Sequence, residues 1–133
     1  MTWCWGENLD WQLGSGVTKD TTNVPVLAPD APAFARIAAG SSVTCGLTAA
    51  AEAWCWGRNM FGQLGNGTLA DSRTANRVLL NEPIASLALN THGPHHCATT
   101  RTGDAWCWGW NADGQLGDGT TVNSSTPVPV RAP

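Results

Sequence analysis

The apolar positions of this chain fall in short runs with a two-residue alternation, broken by glycine, proline and small polar residues. One unit reads Val43-Thr44-Cys45-Gly46-Leu47-Thr48, then Ala49-Ala50-Ala51, then Glu52-Ala53-Trp54-Cys55-Trp56-Gly57. A matching unit reads His95-His96-Cys97-Ala98-Thr99-Thr100, Arg101-Thr102-Gly103 and Asp104-Ala105-Trp106-Cys107-Trp108-Gly109. Each predicts a β-hairpin with a three-residue loop, whose last position takes a left-handed backbone and favours glycine. Gly103 meets that demand and Ala51 does not, so the earlier turn is expected to be longer or mildly strained. In this register Cys45 faces Cys55, and Cys97 faces Cys107. Side chains alternate faces along a strand, so Cys45, Leu47, Ala53 and Cys55 share one face, and Thr44, Gly46, Trp54 and Trp56 the other. Gly46 and Ala98 stand opposite Trp54 and Trp106, a small residue making room for an indole. Both faces carry apolar bulk. Such a hairpin needs covering on both sides, as a sheet stacked between neighbouring sheets would be.

Further apolar segments precede the hairpins: Phe34-Ala35-Arg36-Ile37-Ala38 and Ile84-Ala85-Ser86-Leu87-Ala88-Leu89. Before those lie Val24-Pro25-Val26-Leu27 and Arg77-Val78-Leu79-Leu80, and Thr126-Pro127-Val128-Pro129-Val130 follows the last loop. The prolines suit edge strands or strand starts. No apolar stripe with helical period and helical length appears. Trp-Cys-Trp-Gly recurs at positions 3, 54 and 106, a spacing that points to a solenoid, a propeller or another array. A glycine-punctuated loop follows each copy. The turn residues Gly62, Gln63, Leu64, Gly65 and Gly67 match Gly114, Gln115, Leu116, Gly117 and Gly119, while the first loop puts Trp11 where the others have glycine. Four short strands per repeat describe one propeller blade. The expected fold is all-β, a partial β-propeller of four-stranded antiparallel blades with about two and a half blades. Residues 1–23 would be the C-terminal part of a blade, 24–75 and 76–125 full blades, and 126–133 the first strand of a following one. That number cannot close a ring, so a piece of a longer propeller or association between copies is expected.

The recurring Cys-(nine residues)-Cys-Trp-Gly-x-Asn-(two residues)-Gly-Gln-Leu-Gly-x-Gly resembles the regulator of chromosome condensation repeat, in its bacterial, cysteine-bearing form, over nearly the whole chain. The resemblance implies a β-propeller of four-stranded blades. It allows two functions besides a plain binding scaffold: guanine-nucleotide exchange on a small GTPase, or inhibition of a secreted enzyme by propeller loops. It also implies that a histidine near the cysteine of the hairpin is an ordinary part of the repeat. Two positions depart from the pattern: Trp11 replaces a loop glycine, and His92 stands where the preceding repeat has Gly40. At both, the usual backbone path is expected to change.

Charge narrows the functional classes. The net charge is −3, charged residues make up 13%, and no basic run exists, which argues against a nucleic-acid footprint. No apolar run is long enough to span a membrane. The chain enters the repeat directly at Met1-Thr2-Trp3-Cys4, leaving no room for a signal peptide.

Five cysteines change the picture further. Directly opposed residues lie within disulfide range, so Cys45 with Cys55 and Cys97 with Cys107 read as cross-strand bridges. The competing reading is buried reduced thiols that act as small apolar groups. Bridges are the favoured reading and place the protein in an oxidising compartment, extracellular or periplasmic. Cys4 is left over, because a partner ten positions earlier would precede Met1.

The repeated tryptophans at 3, 5, 54, 56, 106 and 108 read as core. Trp11, Met60, Phe61 and Trp110 instead stand in loops where the repeats differ from one another, and these are the candidate partner-binding residues. Variation in a tolerant loop is the competing account. Asn8, Asn59 and Asn111 read as turn residues. His92, His95, His96 and Cys97 form the one cluster with metal-ligand chemistry, but Cys97 has a better use against Cys107 and the adjacent histidines point to opposite faces. No metal and no cofactor are expected. No serine sits in a nucleophile elbow and no carboxylate pair recurs, so no catalytic residue is assigned. The sequence thus reads as a non-enzymatic scaffold for a protein partner, without nucleic acid or membrane, with self-association as a further possibility.

Overall fold

The structure, a computed structural model, describes residues 1–16 and 19–132. Its described residues form ten strands: β1 (Thr2–Gly6), β2 (Thr22–Ala28), β3 (Phe34–Ala39), β4 (Val43–Thr48), β5 (Ala53–Gly57), β6 (Ser72–Arg77), β7 (Ile84–Leu89), β8 (His95–Thr100), β9 (Ala105–Gly109) and β10 (Ser124–Pro129). Strands β3-β4-β5-β6 make one antiparallel four-stranded sheet and β7-β8-β9-β10 a second. Strands β1 and β2 pair with each other ahead of them.

The sheets divide differently from the expected boundaries. Residues 22–28 do not open the second sheet; they close the first, with Val26 opposite Cys4. Residues 124–129 likewise close the third sheet against β9, with Val128 opposite Cys107, and open no following blade. Each loop after Trp-Cys-Trp-Gly carries the chain back along the free edge of the same strand. The strand expected at 77–80 lies earlier, at Ser72–Arg77. That strand had no apolar signature because its serine, threonine and asparagine bond locally, as Ser72 Oγ does to the Thr74 carbonyl at 2.8 Å. Val78 and Leu80 follow it into the core. The prolines Pro25, Pro127 and Pro129 all sit in these outer strands, where a missing N–H costs least.

The hairpin register is as the spacing expects: Cys45 opposite Cys55, Gly46 opposite Trp54, Cys97 opposite Cys107 and Ala98 opposite Trp106. Ala51 takes the left-handed conformation, φ 64°, where Gly103 has φ 95°. The turn therefore keeps its length and carries the strain, about 1 kcal/mol for a residue with a Cβ. Two backbone bonds hold it there: its N–H donates to the Thr48 carbonyl at 3.0 Å, and its carbonyl accepts from Ile84 at 3.0 Å. The space Gly46 leaves is filled by the Phe34 ring, into which a Cβ would run, rather than by Trp54 opposite. In the third sheet Ile84 replaces Phe34, and Ala98 fits.

Both faces of the β4–β5 hairpin are covered. Val43, Cys45, Leu47, Ala53, Cys55, Leu64, Val78, Leu80, Ile84, Ala98 and Trp108 form one buried cluster that joins the second sheet to the third. Stacking is directional. Trp56 reaches back to donate its indole N–H to the Gln12 carbonyl at 2.9 Å, and Trp108 repeats the contact to Gln63 at 3.0 Å. Both indoles are fully buried, whereas Trp3 and Trp5, ahead of which the described residues place no sheet, are 52% and 63% exposed. The core reading holds for Trp56 and Trp108, and Trp54 and Trp106 are half-buried.

The Gly40 to His92 comparison also resolves. Ala39 pairs with Thr44 and Leu89 with His96, so Gly40 corresponds to Asn90 rather than to His92. His92 lies in a β7–β8 connection two residues longer than the β3–β4 one. No glycine path is broken there.

Candidate functional site

The loops after β1, β5 and β9 share an internal frame. Asn59 is fully buried: its Oδ1 accepts from Leu64 N–H at 2.9 Å, and its Nδ2 donates to the carbonyls of Thr68 and Ala70 at 2.8 and 3.0 Å. Asn111 repeats this with Leu116, Thr120 and Val122. Asn8 accepts from Leu13 N–H at 3.0 Å. The glutamines add a second tie, Gln63 Oε1 accepting from Phe61 N–H and Gln115 Oε1 from Asp113 N–H, each at 2.9 Å. Leu64 and Leu116 are sealed beneath. The glycines at 62, 65, 67, 114, 117 and 119 all have positive φ. Gly62 needs it twice over, since a Cβ would press on the Ser124 and Ser125 backbone of the next sheet.

Trp11 has φ 67°, close to Gly62 at 82° and Gly114 at 74°. Its N–H donates to the Asn8 carbonyl as Gly62 donates to Asn59. The expected change of backbone path does not occur; the tryptophan accepts the strain instead. Two cations lie over its ring, Lys19 Nζ at 5.1 Å and the Arg73 guanidinium at 5.0 Å from the centroid. Such contacts hold the ring for about 0.5–1 kcal/mol each at exposed sites.

With the repeated residues turned inward, the varying ones face out. Phe61 and Trp110 come from successive loops and meet with ring centroids 6.4 Å apart. Arg58, which occupies the place of Glu7 and Trp110, donates from Nε and Nη2 to the Met60 sulfur at 3.3 and 2.9 Å. Its Nη1 lies 3.9 Å from Asp10 Oδ2 in the preceding loop. Met60 is half exposed. Of the four candidate residues, the structure brings Met60, Phe61 and Trp110 to one face, Met60 through its neighbour Arg58. It places Trp11 against Lys19 and Arg73.

Beneath this ridge is a cleft of about 240 Å³, lined by Ser42, Arg58, Phe61, Asn90, His92 and His96 among others. Arg58 and Asp10 were not singled out from sequence, although the change from Glu7 to Arg58 to Trp110 at one loop position marks the spot. His96 is buried behind the cleft. Its Nδ1 accepts from Asn90 N–H at 3.3 Å, its Nε2 has no protein partner, and its ring meets Trp108 edge-on at 6.5 Å. Burial, helped by neighbouring His95, pushes its pKa down to about 4, so the ring is neutral at physiological pH. In the second sheet Thr44 holds the same place and donates to the Gln12 carbonyl at 2.7 Å.

The cysteine pairs 45/55 and 97/107 are at bonding distance, with Cα atoms 4.1 Å apart in each. Cys4 is free and half-buried, and burial raises its pKa. Among the described residues, no three of His, Cys, Asp and Glu are grouped to hold a metal ion.

The cleft offers the Arg58 guanidinium, the Phe61 ring and the side chains of Ser42, Asn90 and His92 on a rigid frame, with Trp110 against the far side of Phe61. That chemistry suits capture of acidic or aromatic side chains by contact.

A family model described as "Regulator of chromosome condensation (RCC1) repeat" matches residues 1–47, 51–87 and 102–133, and a second model of that description matches 34–63. The E3 ubiquitin-protein ligase HERC2 of Homo sapiens is 30% identical over 132 residues, spanning 98% of this chain and 3% of that protein. The ultraviolet-B receptor UVR8 of Arabidopsis thaliana is 31% identical over 130 residues, spanning 96% of this chain and 30% of the receptor. Among solved structures, yeast RCC1 (Prp20) with Kap60 bound is similar at a TM-score of 0.79 and 23% identity, with 98% of this chain and 33% of that chain covered. Human WBSCR16 is similar at a TM-score of 0.75 and 26% identity, with 97% and 34% covered. This chain spans about a third of these proteins or less. By its three matched stretches and its stacked four-stranded sheets, the chain belongs to the regulator of chromosome condensation (RCC1) repeat family of β-propellers.

Proposed function

We propose that this chain is part of a propeller scaffold that binds a protein partner, without catalysis, across the face formed by Asp10, Arg58, Met60, Phe61 and Trp110. One observation carries the reading. Phe61 and Trp110 belong to the few loop positions where the repeats disagree, and they meet beside a cleft that Phe61 lines, while the repeated residues point inward. Rigid frames with divergent outward residues are the usual arrangement for recognition loops. Aromatic and arginine anchors supply most of the energy in such interfaces. Yeast RCC1 (Prp20) has Kap60 bound to it in its crystal structure, which supports a protein partner as the class. The two cysteine pairs at bonding distance support an oxidising, secreted setting, and inhibition of a secreted enzyme fits that setting better than exchange on a GTPase.

The test is affinity capture with the wild-type chain and with Phe61→Ser and Trp110→Ser, each checked for unchanged thermal midpoint. The proposal expects a protein retained by the wild type and lost by at least one variant, at a cost of about 2 kcal/mol in affinity for an anchor residue. Equal retention by all three would overturn it. Acceleration of nucleotide release from a small GTPase would replace it with the exchange reading.

A further inference from the structure

The cleft beside Phe61 is built from two sheets. Ser42, Arg58 and Phe61 come from the connections of the second, and Asn90, His92 and Pro94 from the third. Arg58 brings a positive charge to it, and none of the described residues that line it carries a carboxylate. The Arg58 backbone is fixed, its N–H donating to the Ser42 carbonyl at 2.9 Å. Its guanidinium is poorly matched. Nε and Nη2 meet the Met60 sulfur, a weak acceptor, and Nη1 stands 3.9 Å from Asp10 Oδ2, beyond hydrogen-bond reach. The side chain is 44% exposed, so the fork is open to an incoming group. A guanidinium fork fits a carboxylate through paired parallel bonds, which are stronger than bonds between neutral groups.

Resting on the reading of this face as a partner site, we propose that the cleft is a carboxylate pocket that receives one acidic side chain of the protein partner on Arg58, beside the Phe61 ring. The charge is complementary, and about 240 Å³ is room for a single side chain rather than a larger element. Asp10, on the preceding loop, turns its carboxylate toward the guanidinium without reaching it, so this position draws an acid and leaves the strong contact unmade. An aromatic side chain in the cleft would leave the guanidinium facing no acceptor at all, which sets the acidic occupant above it. The repeats put Glu7, Arg58 and Trp110 at this one loop position. The preference for an acid therefore belongs to this cleft and is set by one residue.

The experiment titrates the isotope-labelled full chain with N-acetylglutamate methylamide and, separately, with N-acetylglutamine methylamide, into the millimolar range, followed by NMR. The glutamate probe should shift the Arg58 Nε–H and the backbone amides of Ser42 and Phe61, and should bind about fivefold or more tightly than the glutamine probe. Arg58→Glu, which copies the first loop, should lose the response. Arg58→Lys keeps the charge without the fork and should lose most of it. Asp10→Asn removes the resident carboxylate and should tighten binding about twofold. Equal binding of the two probes, no response to the glutamate probe, or an undiminished response in Arg58→Glu or Arg58→Lys would each overturn the inference. A captured partner that depends on Phe61 and Trp110 but not on Arg58 would also remove the pocket, while leaving the scaffold reading in place. Discrimination between the probes with no partner captured would do the reverse.

Discussion

Acidification should weaken this fold through one side chain. His96 is 2% exposed, its Nδ1 is occupied by Asn90 N–H, and its Nε2 has no partner. A second proton would place a charge on a buried ring beside Trp108, with His95 as the adjoining like charge. The folded pKa of about 4 lies below the ordinary 6.5. The unfolded chain therefore binds the proton first, and the stability His96 contributes is full above pH 6.5 and drains away as pH falls toward 4. At about 1.4 kcal/mol per unit, the total is about 3 kcal/mol, of which about 2 kcal/mol is gone by pH 5. That is a large share of a small domain's stability. His95, also shifted down by burial, acts with the same sign but is more exposed and better screened. The assay is guanidinium unfolding at pH 7.5, 6.5, 5.5 and 5.0, followed by tryptophan emission. His96→Thr copies the Thr44 arrangement of the second sheet and should flatten most of the slope between pH 6.5 and 5. An equal slope in wild type and variant, or a wild type with no slope, would refute the reasoning.

Other consequences can be measured in the same way. Asn59→Ala strips partners from the Leu64 N–H and from the Thr68 and Ala70 carbonyls, and should cost about 3 kcal/mol by denaturant unfolding. Gly57→Ala adds a Cβ against the Ser42 carbonyl at a backbone of φ 114°, and should lower stability by about 2 kcal/mol or more; the neutral comparison is Ser→Ala at exposed Ser41. Thiol titration of the denatured, unreduced chain should find one free group, Cys4, and five would refute both bridges. Reduction of the bridges should cost about 2 kcal/mol each, read as a drop in unfolding midpoint.

The hairpins were legible because three independent signals agreed: alternation, cysteines ten residues apart and a loop that wants glycine at its end. Even Ala51 announced its strain by standing where Gly103 stands. The outer strands were misassigned for a physical reason. β6 spends its serine, threonine and asparagine on bonds within itself, so the apolar count pointed past it to Val78 and Leu80, which are core but follow the strand. Segments such as 24–27 carry no mark of which sheet they join, since that depends on where a loop of many residues turns back. At the loop face, disagreement between repeats was enough to single out Phe61, Met60 and Trp110. Their meeting across two loops, and the Arg58 link to Asp10, depend on the angle between sheets and are not written in either loop alone. His96 was legible as a histidine on an inward or outward face, but its lost bond shows only beside Thr44 in the neighbouring sheet.

The reach of Trp56 and Trp108 back to the carbonyls of Gln12 and Gln63 gives the molecule a polarity of cohesion. Each sheet is clasped by its successor and clasps its predecessor, so loss of structure at one site is felt asymmetrically along the row. Removing the third sheet frees the Gln63 carbonyl, which water can satisfy, and uncovers the apolar face of the second sheet around Leu64 and Val78. Removing the first strips the lid from an indole with nowhere else to hide.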